Sequence, residues 1–133
     1  MDNFKIERSI WIDAPPEAVY PYLVEPDLAT AWMGEKSWND PRPGGVFRLE
    51  IRGNVASGEF VELDPPRRVV YTWGWEGEEQ IHPPGSTTVE FELEPKDGGT
   101  QVRLRHTGLT DRGVEMHGEG WGQFLPELAK VAA

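Results

Sequence analysis

The chain has 133 residues and a formal net charge of −10, with 23 acidic against 13 basic side chains. A chain of that length folds around one self-supporting core, burying about two-thirds of its unfolded surface. It has no cysteine, which excludes disulfides, thiolate metal sites and a cysteine nucleophile, and its acidity, with no basic stripe, excludes nucleic acid as the expected partner.

From Met1 to Arg8 the chain is polar and charged, without a signal-peptide pattern. No apolar run approaches the ~20 residues that span a bilayer, so a cytoplasmic location is expected and a membrane partner is not. No repeat, low-complexity tract or linker divides the chain, so one domain over residues 1–133 is expected.

Ile6, Ile10 and Ile12 alternate with Glu7, Ser9 and Trp11, the period of a half-buried strand. Arg8 shares the apolar face. Trp11 falls on the outer face, either as a contact in a homodimer or under a neighbouring side chain. Pro15 and Pro16 then open a helix, with Glu17 at the positive end of its dipole. Val19 and Leu23 form its inner stripe, and Pro21 should bend or shorten it. A second short helix is expected from Pro26 to Trp32.

After Gly44-Gly45, Phe47, Leu49 and Ile51 alternate with Arg48, Glu50 and Arg52, and Val61 and Leu63 with Phe60 and Glu62. The turn Asp64-Pro65-Pro66 leads into Val69, Tyr71, Trp73 and Trp75, alternating with Val70, Thr72 and Gly74. Glu76 to Ser86 reads as a long polar loop. With Lys96-Asp97-Gly98-Gly99 as a turn, the next hairpin pairs Glu92 with Arg103 and Glu90 with Arg105 on one face. Its other face pairs Leu93 with Val102, Phe91 with Leu104 and Val89 with His106. Opposite charges meet outside and apolar residues inside, and a slip of one residue would reverse both faces.

From Asp111 the period becomes helical, with Val114, His117, Gly118, Trp121, Phe124, Leu125, Leu128 and Val131 on one stripe. Four interior glycines weaken this helix by about 1 kcal/mol each. Pro126 presses on the carbonyl of Gly122, so a kink is expected near residues 122–126. The element order predicts an α+β fold: a curved antiparallel sheet of six to seven strands wrapped around a long C-terminal helix. Two short helices follow the first strand, and the space between sheet and helix is a candidate pocket.

Four segments carry a family resemblance. They are Ile12-Asp13-Ala14-Pro15-Pro16-Glu17-Ala18-Val19-Tyr20, Arg42-Pro43-Gly44-Gly45-Val46-Phe47-Arg48, Leu63-Asp64-Pro65-Pro66-Arg67-Arg68-Val69-Val70-Tyr71-Thr72-Trp73, and His117-Gly118-Glu119-Gly120-Trp121 with Leu125 and Leu128. In this order they resemble the START-like (SRPBCC) superfamily, in the branch related to the C-terminal domain of the activator of Hsp90 ATPase. The resemblance implies a helix-grip fold and an internal cavity, but no reaction, since similar domains bind lipids, hormones and polyketides. It also implies a chaperone as a possible partner; the N-terminal domain that the Hsp90 activator carries is not expected in this chain. Pro21 and Pro126 depart from the family pattern and bear on the shape of the pocket.

The expected lining comprises Arg8, Trp32, Phe47, Tyr71, Trp73, His106, His117 and Trp121. His106 and His117 face each other across helix and sheet, where they are either a proton-shuttling pair or partly buried histidines held by one hydrogen bond each. His82 is placed in a distant loop. No metal-ligand spacing, phosphate loop or nucleophile elbow is present, so no metal, cofactor or catalytic residue is assigned. The first functional reading is a domain that binds an apolar or aromatic small molecule. The alternatives are a cyclase- or dehydratase-type enzyme using His106 or His117 with Arg8 or Tyr71, and a co-chaperone-like interaction module.

Overall fold

The computed structural model describes residues 4–77 and 82–133. Strand β1 (Phe4–Ile12) leads into helix α1 (Pro16–Val24), the short α2 (Pro26–Ala29) and strands β2 (Lys36–Ser37), β3 (Val46–Ile51), β4 (Asn54–Asp64), β5 (Arg68–Trp73), β6 (Thr87–Lys96) and β7 (Gly99–Leu109). Helix α3 (Asp111–Ala132) closes the chain. The seven strands form one antiparallel sheet in the order β1-β7-β6-β5-β4-β3-β2, so the first strand lies beside the last. With α3 packed against β1 and β7, this is the helix-grip architecture expected from the element order.

The β6–β7 hairpin adopts the predicted register, with Glu92 opposite Arg103, Phe91 opposite Leu104 and Val89 opposite His106. Asp97 and Gly98 both have positive φ at its tip, which suits the turn to the right-handed twist of the strands. Three of the four outward charges make ion pairs with the neighbouring strands instead of each other. Glu90 and Glu92 hold Arg68 of β5 at 2.6 and 3.3 Å, and Arg105 reaches Glu7 of β1 at 3.4 Å.

Three differences from the sequence reading have local causes. Helix α2 ends at Ala29, and Trp32 follows in a turn with its indole N–H on the Tyr22 carbonyl. Strand β2 was not anticipated from its two polar residues, which pair with Leu49 and Glu50. The β4–β5 register shifts between Phe60 and Glu62; the extra residue turns Val61 outward, 53% exposed, while Phe60 is buried. Trp11 lies on the outer face as alternation places it, 42% exposed, with its ring against Gly99 and its N–H on the Lys96 carbonyl. Helix α3 runs from Asp111 to Ala132 through Pro126 as one element, as α1 does through Pro21. The expected loop from Glu76 to Ser86 lies partly outside the described residues.

The core is largely aromatic. Phe47 stacks on Tyr71 with centroids 3.9 Å apart, and Phe60 meets both edge-on. Trp121 enters from α3 between Trp73 and Phe91. Such pairs contribute about 0.5–1.5 kcal/mol each beyond their buried area.

A histidine cluster beneath an apolar cleft

Three imidazoles meet where β5, β7 and the start of α3 converge. The ring centroids of His106 and His117 are 5.0 Å apart, and those of His82 and His117 are 5.6 Å apart. His82 is therefore not distant from the other two. Its carbonyl accepts the backbone N–H of Trp75, and its ring lies on Gly113 of α3, where a Cβ would come within 2.2 Å of His82 Cε1. Gly74 permits the fold-back, because a Cβ there would strike the carbonyl of Pro83.

The hydrogen bonds fix each tautomer. Trp73 and Trp75 both donate their indole N–H to His117 Nε2, at 3.2 and 3.0 Å. The His117 proton is then on Nδ1, which donates to the Gly113 carbonyl at 2.8 Å. Trp121 donates to His106 Nδ1 at 3.1 Å, so His106 Nε2–H donates to Thr87 Oγ1 and the Thr87 hydroxyl to the Trp73 carbonyl. His82 Nε2 accepts the backbone N–H of Thr110, the N-cap of α3. His82 Nδ1 is buried without a hydrogen-bond partner among the described residues.

Burial pushes His106 down to about 2, with His117 and then His82 as further causes. Burial also lowers His117, against the Gly113 carbonyl, which favours its protonated form. Burial alone lowers His82. All three are neutral near pH 7, and each acceptor nitrogen already takes an N–H. A proton-shuttling pair needs a lone pair open to the reactant; here the lone pairs are spent on the fold. The same occupancy opposes a metal, and no metal-holding group of His, Asp and Glu occurs among the described residues.

A cleft of about 300 Å³ opens beside this cluster. Helix α3 supplies Met116, His117, Gly120, Trp121 and Phe124 to its wall. Trp73 and Trp75 come from the sheet, Ile51, Arg52 and Asn54 from the β3–β4 hairpin, and Met33 from the turn after α2. Because both indole N–H groups are bonded to His117, Trp73 and Trp75 bring no unpaired donor to the cleft.

Of the eight residues read as lining from the sequence, Trp73, His117 and Trp121 are on this wall. Phe47, Tyr71 and Trp32 are core residues, and burial holds the Tyr71 phenol far above its ordinary pKa. His106 is 0% exposed behind Trp73 and Trp121. Arg8 is exposed on β1; it donates to the Glu7 carbonyl and lies beside Gly118. No hydrogen bond joins it to the histidines among the described residues. Met116, Gly120 and Phe124, absent from the sequence reading of the site, follow from the same four-residue spacing that placed His117 and Trp121 on α3. Arg52 carried no comparable signal, because by alternation it belongs to the outer face of β3.

The fold and cleft together define a START-like helix-grip domain. The family model "Activator of Hsp90 ATPase homolog 1-like protein" matches residues 13–133, and the chain belongs to this family. It is 26% identical over 115 residues to the human activator of 90 kDa heat shock protein ATPase homolog 1, covering 86% of this chain and 32% of that protein. The chain thus spans about a third of the length of that curated relative. An AHSA1-like protein from Rhizobium etli, solved in solution, is 38% identical with a TM-score of 0.78, covering 99% of this chain and 83% of that one. The Aha1 dimer from Colwellia psychrerythraea has the same fold, with a TM-score of 0.81, 24% identity and coverage of 97% and 96%.

Proposed function

We propose that the protein binds a small apolar or aromatic molecule in the cleft between α3 and the sheet. The observation that carries this reading is the hydrogen-bonded wall of Trp73, Trp75 and His117, whose ring nitrogens are satisfied within the protein. The cleft is at the lower end of the range for small-molecule pockets, roughly 300–1,000 Å³, which suits one or two fused rings. An enzymatic reading has less support, because the acceptor nitrogens of His106 and His117 are both occupied.

Gly120 offers a direct test, since a Cβ built there meets no atom within 4 Å. Titrating ¹⁵N-labelled protein with methyl 2-naphthoate should shift the indole N–H resonances of Trp73, Trp75 and Trp121 saturably. Gly120→Leu should fill the cleft and weaken that binding by at least about tenfold, with the unfolding midpoint unchanged or raised. Indole resonances that stay in place up to the solubility of the ester would end this reading.

An interaction role is favoured by a separate observation, the match to the human ATPase activator. Stimulation of Hsp90 ATPase by this chain alone would support it, and the absence of both Hsp90 binding and stimulation would remove it.

A further inference from the structure

We propose that the cleft selects molecules that carry a carboxylate, with Arg52 holding the anion at the mouth while the apolar body lies on the tryptophan wall. This rests on the cleft being a binding site and goes on to name the charge of its ligand.

Arg42, Arg48, Arg67, Arg68 and Arg105 each hold a carboxylate. Arg52, like Arg8, Arg103 and Arg112, makes no ion pair among the described residues, and of these four it alone lies on the cleft wall, where it is the one formally charged side chain. Its guanidinium donates through Nη2 to the neutral amide oxygen of Gln123 at 2.7 Å and sits 5.8 Å over the Phe124 ring. A guanidinium has five N–H donors in a planar fork, so a ligand carboxylate can be received with the Gln123 contact kept. Glu35 binds the backbone of Arg52 and makes no ion pair with its guanidinium among the described residues. Both Glu35 carboxylate oxygens accept the backbone N–H of Arg52, at 2.9 and 3.1 Å.

The backbone at this position is also unusual. Arg52 has φ +52° and is followed by Gly53 at +84°, so an L side chain stands where asparagine or glycine is the common choice. Many residues could occupy an exposed turn without a cation. The Glu35 contact and the turn together set Arg52 at the cleft mouth. The field of a chain at −10 disfavours anions at long range, but that field is screened beyond about 8–10 Å. At contact distance, Arg52 decides.

The experiment compares 2-naphthoate with its methyl ester by calorimetry at pH 7 and low salt. Wild type should bind the carboxylate roughly fivefold to tenfold more tightly, the range for a charge-assisted bond at an exposed rim. Added salt should shrink the difference. Arg52→Gln should abolish it, so that the two probes bind alike, and Arg52→Lys should keep part of it. Equal affinity of the two probes for wild type, or a preference that persists in Arg52→Gln, would overturn the proposal and leave the cleft as a binding site. Failure of both probes to bind would overturn the cleft reading, and this proposal with it.

Discussion

His117 Nε2 is one acceptor shared by two tryptophan N–H groups, and His106 joins Trp121 to Thr87 through its two nitrogens. At this depth an unmade bond costs more than a made one contributes, about 1–3 kcal/mol for a buried donor left alone against roughly 1 for the bond itself. His106→Leu therefore strands the Trp121 N–H and should destabilise the protein by about 1–3 kcal/mol. Trp121→Phe removes that donor but leaves a gap in the core. In a double-mutant cycle by urea unfolding, the pair should cost about 1–2 kcal/mol less than the sum of the singles. Strict additivity would mean that the bond is not formed. Alternation and helical phase bring His106 and His117 face to face, but neither period reports which nitrogen carries the proton. Nor does either bring His82 to them: its place depends on the approach of Pro83 to Gly74 and of its own ring to Gly113.

Helix α3 carries glycines that play opposite parts within two turns. By propensity alone, each interior Gly→Ala should stabilise by up to about 1 kcal/mol. At Gly120 the added methyl meets nothing, so Gly120→Ala should raise the unfolding temperature. At Gly113 the methyl would lie 2.2 Å from His82 Cε1. The His82 ring cannot retreat easily, since its Nε2 accepts from Thr110 and its carbonyl from Trp75. Gly113→Ala should therefore lower the unfolding temperature despite its better helix propensity, and loosen the packing of Trp75. Thermal unfolding of the two variants beside wild type reads both signs; a stabilised Gly113→Ala would show that His82 is not held on the helix. The sequence shows that this helix is glycine-rich, but not which glycine faces an open cleft and which a ring.

For the whole molecule, the three histidines make the fold acid-sensitive. Each has its pKa lowered in the folded state relative to a free histidine near 6.5. Below that value the unfolded chain binds more protons, so stability is complete above about pH 6.5 and falls as pH drops. For His106 the loss continues towards its folded value of about 2. Denaturant titrations should show a stability that declines steadily from pH 7 to 4. His106→Leu should flatten that decline by roughly 1 kcal/mol per pH unit near pH 5. An equal slope in wild type and variant would place a proton on His106 in the folded protein.

At this scale the division between sequence and tertiary structure is also clearest. Strand alternation, the β6–β7 register and the stripe of α3 are periodic, and period is a local property that a chain displays before it folds. They determined the fold class, the buried faces of β1, β3, β5, β6 and β7, and the place of His117 and Trp121 in the core. The cleft is not periodic. It is bounded by a hairpin turn, a helix face, the end of β5 and a methionine after α2, which are far apart in the chain. Which aromatic rings fill the core and which line a space depends on how closely sheet and helix approach. That distance is set by contacts between residues far apart in the chain, such as the His82 ring on Gly113 of α3, and only the assembled structure decides it.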